Sequence, residues 1–386
     1  MQSTPRERLV EFSNVLQAVL FDRLEQELGP LSEKGQLLVS VLAMVSLSRW
    51  MAPRRGWVGR PSKDRQGLAT TFLAKAIYGL ETTRQVLERL QTDRQLRCLC
   101  GWNEVRQIPH ESTFSRAFAE FAHSELPQRL HAALIECTQK GRIIGHIARD
   151  SSAIEAREKF PESKPTAAKR QRRPKRCQAS ERGTRLERQR KQTLAQQLAA
   201  LPQVCGIGVK KSSKGYLSYW RGYKLHLDVA DGHIPISALL TGASVHDSQA
   251  AIPLMTMSTQ RVIYLYDLMD SAYAATAIRE HSLKLGHRPI TDHPRRYHKI
   301  GERKVPLRKN SRSWTRVIET ELRAQQMTWA EQDRFAERTM VERVFSRLKD
   351  EFGARFIRVR GASKIMAHLM FGVLALTVDQ LLKLTG

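Results

Sequence analysis

The chain has 386 residues, enough for a sizeable core and two or three domains. Its 64 Lys and Arg exceed its 38 Asp and Glu, giving a net charge of +26, so a polyanion, nucleic acid first, is the expected partner. An aromatic content of 7% argues against a binder that mainly stacks single-stranded bases, but a ribosome-associated or merely basic protein stays open.

The cysteines and the apolar runs exclude two further classes of protein. The five cysteines are an odd number without CxxC spacing, which favours reduced thiols in a cytosolic protein over disulfides or a zinc site. The apolar runs 37–47 and 369–378 fall short of the roughly 20 residues that cross a bilayer. We therefore expect buried helices there and a cytoplasmic protein. The polar N-terminal residues also predict no signal peptide.

Helical periodicity dominates residues 1–140 and predicts an all-helical N-terminal domain for DNA binding or dimerisation. Ser112 or Thr113 is placed to cap a helix over 114–121, and another helical run covers 126–138. Short helices with such a capped start suit a helix-turn-helix-like DNA reader. A helical dimerisation or scaffold bundle explains the pattern equally well.

From residue 141 the pattern changes to strands alternating with helices. Strands are expected at 143–149, 216–229, 234–240, 262–266 and 288–291, with a hairpin turn at Ala230-Asp231-Gly232. Helices are expected at 248–257, 272–284 and 335–352. This order predicts an α/β fold with a mixed five-stranded sheet, a second domain over 141–386.

A basic stretch interrupts the second domain between its first two strands. Residues 169–191 hold eleven Lys and Arg against two Glu, which predicts a mobile, solvated insertion at about 155–213 that orders on a phosphate backbone. Its candidate phosphate-binding residues are Arg172, Arg173, Lys175 and Arg176, and Arg116 is a further candidate in the N-terminal domain.

Three carboxylates from distant parts of the chain suggest a metal site. Asp150 and Asp270 each lie at or just past the end of a strand-like run, and Glu342 lies on a basic helix. Hard oxygen ligands suit Mg²⁺ or Mn²⁺, and two such ions could clamp the attacking and leaving oxygens of a phosphodiester. Arg338 and Lys349 share a helix face with Glu342 and could hold phosphate, although such a face is also common on ordinary charged helices.

The segment Phe335-x2-Arg338-x3-Glu342-x6-Lys349 resembles the Y-x2-R-x3-E-x6-K motif of IS4-type DDE transposases. Asp270-Ser-Ala-Tyr273 and Arg149-Asp150-Ser-Ser resemble the two aspartate motifs of that family. Segments 220–226, 241–248 and several in 59–116 are also similar to insertion-sequence transposases. The resemblance covers residues 59–380, with Phe335 in place of the leading Tyr.

This resemblance implies a ribonuclease-H-like core and a catalytic triad of Asp150, Asp270 and Glu342 that binds two Mg²⁺ or Mn²⁺ ions. It also implies contacts from Arg338 and Lys349 to DNA. The expected partners are double-stranded terminal repeats and target DNA, with a homodimer in the synaptic complex. The location that the resemblance implies is the bacterial cytoplasm, in association with the nucleoid.

Several alternatives stay open at this point. Asp267 or Asp247 could replace Asp270 as the second aspartate, and Asp247 also suits a helix N-cap. His246 and His293 could assist proton transfer, although structural roles are the more common ones for histidines. Trp220 and Tyr223 fit sheet packing better than base stacking. A silent DNA-binding protein of transposase descent, or a metal-dependent nuclease without strand transfer, would share most of these features.

Overall fold

The structure is a computed structural model that describes residues 5–51, 63–158, 184–211, 216–292, 298–300, 303–305 and 327–385. The N-terminal region is helical, as predicted. Its helices are α1 (Pro5–Val15), α2 (Asp22–Leu28), α3 (Glu33–Val45), α4 (Arg65–Ile77), α5 (Thr83–Thr92), α6 (Arg94–Leu99), α7 (Glu111–His123) and α8 (Leu126–Gln139).

Helix α7 begins earlier than its sequence suggested. The expected caps were Ser112 and Thr113, but His110 occupies the N-cap position. Its Nδ1 accepts a hydrogen bond of 3.3 Å from the backbone N–H of Ser112. An imidazole nitrogen therefore does here what a hydroxyl usually does, and satisfies an otherwise unpaired N–H of the first turn.

A mixed sheet follows the helical region. Its strands are β1 (Ile143–Glu155), β2 (Gly206–Lys211), β3 (Leu217–Ala230), β4 (Ile234–Gly242), β5 (Ile263–Met269) and β6 (Arg288–Thr291). The order is β4-β3-β1-β5-β6, and β2 pairs with the first half of β3. Strands β1, β5 and β6 are parallel, whereas β3 is antiparallel to β1 and to β4. Residues His298–Ile300 (β7) and Arg303–Val305 (β8) form a separate pair.

The five predicted strands and their mixed arrangement are confirmed, and the sheet is that of a ribonuclease-H-like core. Strand β2 was not predicted, because a short segment with glycines at 206 and 208 carries no clear alternation. The β3–β4 turn comprises Asp231, Gly232 and His233, of which the last two have positive φ angles of 78° and 61°. Glycine makes such a turn accessible.

Helices cover both faces of the sheet. They are α9 (Arg185–Gln189), α10 (Leu194–Ala199), α11 (Ser248–Arg261), α12 (Thr276–Lys284), α13 (Trp329–Ala336), α14 (Met340–Asp350) and α15 (Ala362–Lys383). Helix α11 packs against β3 and β4, and α14 packs against β1 and β3. Part of the expected insertion, residues 184–211, thus forms two helices and an edge strand, whereas residues 159–183 lie outside the described part of the chain.

Helix α15 joins the N-terminal helices to the sheet. It packs against α3, α4, α7, α8 and β4, and a single cluster of buried apolar side chains runs through both regions. Its 22 residues are long and apolar enough to cross a membrane, but most of its apolar stretch is buried inside the protein. This confirms the expected buried helix, and its burial contributes to the core on the order of 25 cal/mol per Å² of apolar surface.

Candidate active site

The first aspartate lies in the middle of the central strand. Asp150 on β1 pairs across the sheet with Leu227 on β3, and its Oδ1 accepts a hydrogen bond of 2.7 Å from the N–H of Ser151. Burial raises the pKa of Asp150 to about 7; the Ser151 N–H opposes this rise, whereas the negative charge of Asp270 adds to it. A nearby cation would therefore stabilise the ionised form of this buried carboxylate.

The second aspartate comes directly after β5. In the parallel pairing Arg149 is level with Met269, so Asp150 and Asp270 are the next residues of two adjacent strands. Asp270 Oδ1 accepts a hydrogen bond of 2.9 Å from the N–H of Ala272 and caps a 3₁₀ turn, Ser271–Tyr273. That turn delays α12 to Thr276, four residues later than expected. Burial raises the pKa of Asp270 as well.

Tyr273 adds a buried hydroxyl beside these carboxylates. Burial raises the pKa of Tyr273 well above its usual value, and Asp150, Asp247 and Asp270 add to the rise. Its hydroxyl has no hydrogen-bond partner among the described residues. Two mutually repelling carboxylates next to an unpartnered hydroxyl are a donor set that a hard divalent cation and its waters fit.

The expected helix of residues 335–352 is broken in the structure. Helix α13 ends at Ala336, a 3₁₀ turn covers Glu337–Thr339, and α14 begins at Met340. Arg338 in this turn still ion-pairs with Glu342, at 3.4 Å between Nη1 and Oε1. Burial is the dominant effect on Asp150 and Asp270 and raises both pKa values. The guanidinium of Arg338 partly opposes this rise. Arg338 is therefore the positive charge shared by all three acidic residues.

Glu342 itself stays apart from the two aspartates. Its side chain is 56% exposed, that of Arg338 only 21%. Within the described ranges, no group of three or more Asp, Glu, His or Cys side chains lies close enough together to hold a metal ion. The structure thus brings Asp150 and Asp270 into one site and leaves Glu342 on its edge, held by Arg338.

The other two residues of the helical motif have separate contacts. Lys349 Nζ donates a hydrogen bond of 2.6 Å to Ser152 Oγ, two residues after Asp150. Phe335 is buried in the core, with the guanidinium of Arg338 5.7 Å from the centre of its ring. The position where the family motif has Tyr therefore supplies apolar packing that supports Arg338.

Asp267, the first alternative to Asp270, belongs to a buried ion network. Its Oδ1 lies 3.2 Å from Arg149 Nη1, and Arg149 Nη2 donates to Asp228 Oδ2 at 2.7 Å. All three side chains are at most 1% exposed. Ser282 Oγ also donates to Asp267 Oδ2 at 2.6 Å. With both oxygens engaged in the core, Asp267 is placed to stabilise the fold rather than to bind an entering metal.

Asp247, the second alternative, is neutralised by a lysine that sequence reasoning missed. Burial alone would raise the pKa of Asp247, but Lys224, 2.9 Å away, together with His226 and a hydrogen bond from Ser151, outweighs this effect and lowers it. Asp247 stands at the N-cap of α11, yet its side chain makes no cap bond. His246 does so instead, with Nδ1 3.3 Å from the Ser248 nitrogen. Lys224 lies in segment 220–226, whose similarity to transposases was the one feature of the sequence that pointed to this lysine.

The remaining predicted residues lie elsewhere. Arg116 is exposed on α7, where its Nε donates to the Ser112 carbonyl at 3.3 Å. Tyr223 is 1% exposed, in agreement with sheet packing. The candidates Arg172, Arg173, Lys175, Arg176 and His293 lie outside the described residues. The four cysteines of the described part, at 98, 100, 137 and 205, are free thiols as expected.

Comparison with known families agrees with this geometry. The family model of the transposase DDE domain matches residues 144–378, more than half of the chain. The chain belongs to this family. A second model, a transposase domain (DUF772), matches residues 26–120 in the helical region. No curated protein and no solved structure matches significantly. Transposase DDE domains are phosphoryl-transfer enzymes that typically use divalent metal ions, so the site at Asp150 and Asp270 lies within the matched domain of such an enzyme.

Proposed function

We propose that this protein is an IS4-type transposase that binds the ends of an insertion sequence and catalyses metal-dependent DNA strand cleavage and strand transfer. The observation that carries the proposal is that Asp150, within β1, and Asp270, directly after β5, are the next residues after the last paired positions of two adjacent parallel strands. The positive charge of Arg338 acts on both carboxylates. Burial and neighbouring carboxylates raise the pKa values of both aspartates, and such shifts are typical of functional sites.

Asp150 and Asp270 would hold Mg²⁺ or Mn²⁺, and Glu342 would join them as the third carboxylate after its side chain leaves Arg338. Two such ions, when bound, supply a deprotonated attacking oxygen and a stabilised leaving oxygen. The protein's own part is positional: Arg338, freed from Glu342, is placed to bind a phosphate oxygen. Lys349 donates a hydrogen bond to Ser152 and so connects α14 to strand β1 near Asp150.

The Glu342→Gln variant tests this assignment. We expect it to lose cleavage while it keeps its affinity for terminal-repeat DNA, because a neutral amide is a poor ligand for Mg²⁺. Glu337→Gln, one turn earlier on the 3₁₀ segment, is the matched control and should cleave normally. Undiminished cleavage by Glu342→Gln would remove this glutamate from the site.

A strand-transfer assay with paired terminal-repeat DNA separates the competing functions. A transposase cuts the repeat ends and joins them to target DNA. Cleavage without a joined product would indicate a metal-dependent nuclease. Specific binding without cleavage in Mg²⁺ or Mn²⁺ would indicate a DNA-binding protein that has lost its catalytic activity.

We further propose that two copies of the chain act together, because two element ends must be held at once for transfer. Light scattering of the complex with paired terminal-repeat DNA should give the mass of two protein chains. A complex with the mass of one chain on two DNA ends would contradict this.

A further inference from the structure

An ion pair joins the two segments 220–226 and 241–248, to which the proposed reaction gives no task. Lys224 on β3 lies 2.9 Å from Asp247, which stands at the N-cap position of α11. The same ammonium group donates a hydrogen bond of 3.0 Å to the Val245 carbonyl. The side chains of Lys224 and Asp247 are only 15% and 24% exposed, so salt screens this pair less than a pair on the open surface.

The ion pair is connected to strand β1 through Ser151. The Ser151 hydroxyl donates a hydrogen bond to Asp247, and the Ser151 N–H donates one of 2.7 Å to Asp150 Oδ1. In the pairing of β1 with β3, Lys224 is opposite Ala153, two residues beyond Ser151 and therefore on the same face of the sheet. A displacement of Ser151 would thus displace the donor that holds the Asp150 carboxylate.

Strand β1 is held from both of its faces at this point. Successive side chains of a strand point to opposite faces of the sheet, so Ser152 lies on the face opposite to Ser151. Ser152 accepts the hydrogen bond from Lys349 on α14, whereas Ser151 is bonded to Asp247 at the start of α11. Contacts on both faces fix the backbone directly after Asp150, as hydrogen-bonded neighbours do around metal ligands.

We propose that Lys224 and Asp247 are positioning residues for the metal site and that, through Ser151, they hold the Asp150 carboxylate in place for a divalent cation. This inference rests on the proposed function and extends it, because it assigns a task to two side chains outside the three carboxylates. A positively charged lysine cannot itself bind the cation, so its contribution has to pass through its partners.

The sign of the effect at Lys224 separates positioning from simple electrostatics. If charge alone mattered, removal of a positive charge near a cation site would tighten cation binding. If Lys224 positions Asp150, Lys224→Met should instead weaken Mn²⁺ binding about tenfold or more. The electron paramagnetic resonance signal of free Mn²⁺ measures this binding without DNA and without turnover. Lys224→Arg, which keeps a cation beside Asp247, should bind Mn²⁺ like the unmodified protein.

Two further variants make the test specific. Ser151→Ala removes the linking hydroxyl without a change of charge and should also weaken Mn²⁺ binding. Combined with Lys224→Met it should add little, because both changes break the same connection. Lys383→Met is the matched control, since this lysine is paired with Asp379 at 2.8 Å at the end of α15, and its Mn²⁺ binding should be unchanged. Thermal unfolding without metal shows whether each variant is folded, and Ser151→Ala decides the question if Lys224→Met is not.

Unchanged or tighter Mn²⁺ binding by folded Lys224→Met, or unchanged binding by Ser151→Ala, would overturn the positioning role. If the unmodified protein still cuts and joins terminal-repeat DNA in that case, the proposed function stands and only the task of the ion pair is wrong. An unmodified protein that binds no Mn²⁺ would overturn both.

Discussion

Replacing Asp150 by Asn is expected to abolish strand cleavage and, at the same time, to stabilise the metal-free protein at pH 8. The loss of cleavage follows from the loss of a charged oxygen ligand. Stabilisation of transition-state charge by a bound metal amounts to several kcal/mol, so we expect a decrease in rate of roughly a thousandfold or more. Binding of terminal-repeat DNA should persist, because Arg338 and Lys349 are unchanged.

The gain in stability follows from the sign of the pKa shift. The pKa of Asp150 rises from 3.8 to about 7 on folding, so between these values the folded protein holds a proton that the unfolded chain has lost. The free energy of unfolding therefore falls as pH rises from about 4 to 7, and stays reduced above it. Asn carries no such charge. The variant should gain roughly 2–4 kcal/mol at pH 8 and almost nothing at pH 4.

Thermal and urea unfolding at the two pH values, without divalent metal, measures this difference. Asp333→Asn on α13 is the matched control, because this aspartate is exposed and its replacement should change neither stability nor cleavage. An Asp150→Asn protein that is less stable than the unmodified protein at both pH values would show that the carboxylate is favourably paired in the fold.

Replacing Arg149 by Met should produce the largest loss of stability. Arg149 joins three strands through Asp228 and Asp267, and both aspartates are fully buried. Without the guanidinium, two negative charges remain in the core, at a cost on the order of 3–5 kcal/mol. Burial raises the pKa of Asp228 even beside Arg149. Protonation of Asp228 would relieve part of the cost at low pH, so the loss of stability should be larger at high pH than at low pH.

Two further variants make this test specific. Ser282→Ala removes one hydrogen bond to Asp267 and should cost only about 1–3 kcal/mol. Arg106→Met removes an arginine whose side chain is 84% exposed and paired with Glu104, and should change stability by less than about 0.5 kcal/mol. If Arg149→Met were no more destabilising than Arg106→Met, the buried network would have no structural role.

Much of the fold was predictable because its signals are local. The strands of the central sheet are apolar runs with period-two alternation or full burial, and the turn at Asp231 and Gly232 joins two of them. Strand β2 escaped prediction because Gly206 and Gly208 hide its pattern, and it exists only through pairing with β3. The break at Glu337 escaped as well, because nothing in its neighbours interrupts helical periodicity.

The candidate site was only half predictable for a similar reason. The sequence pointed to Asp150, Asp270 and Glu342 but could not choose among Asp270, Asp267 and Asp247. Tertiary contacts distinguish the three aspartates: Asp267 forms an ion pair with the buried Arg149, and Asp247 forms one with Lys224. Neither partner is near in sequence to the aspartate that it neutralises.

The sequence by itself determined the class of fold, the basic character of the protein and the order of its acidic residues, since these depend on composition, periodicity and spacing along the chain. Only the tertiary structure decided which carboxylates lie near the positive charge of Arg338 and which form ion pairs with Arg149 or Lys224. The physical reason is that the free energy of a charge depends on its burial and on the charges around it. Both are set by strands and helices that come together in space from separate parts of the sequence.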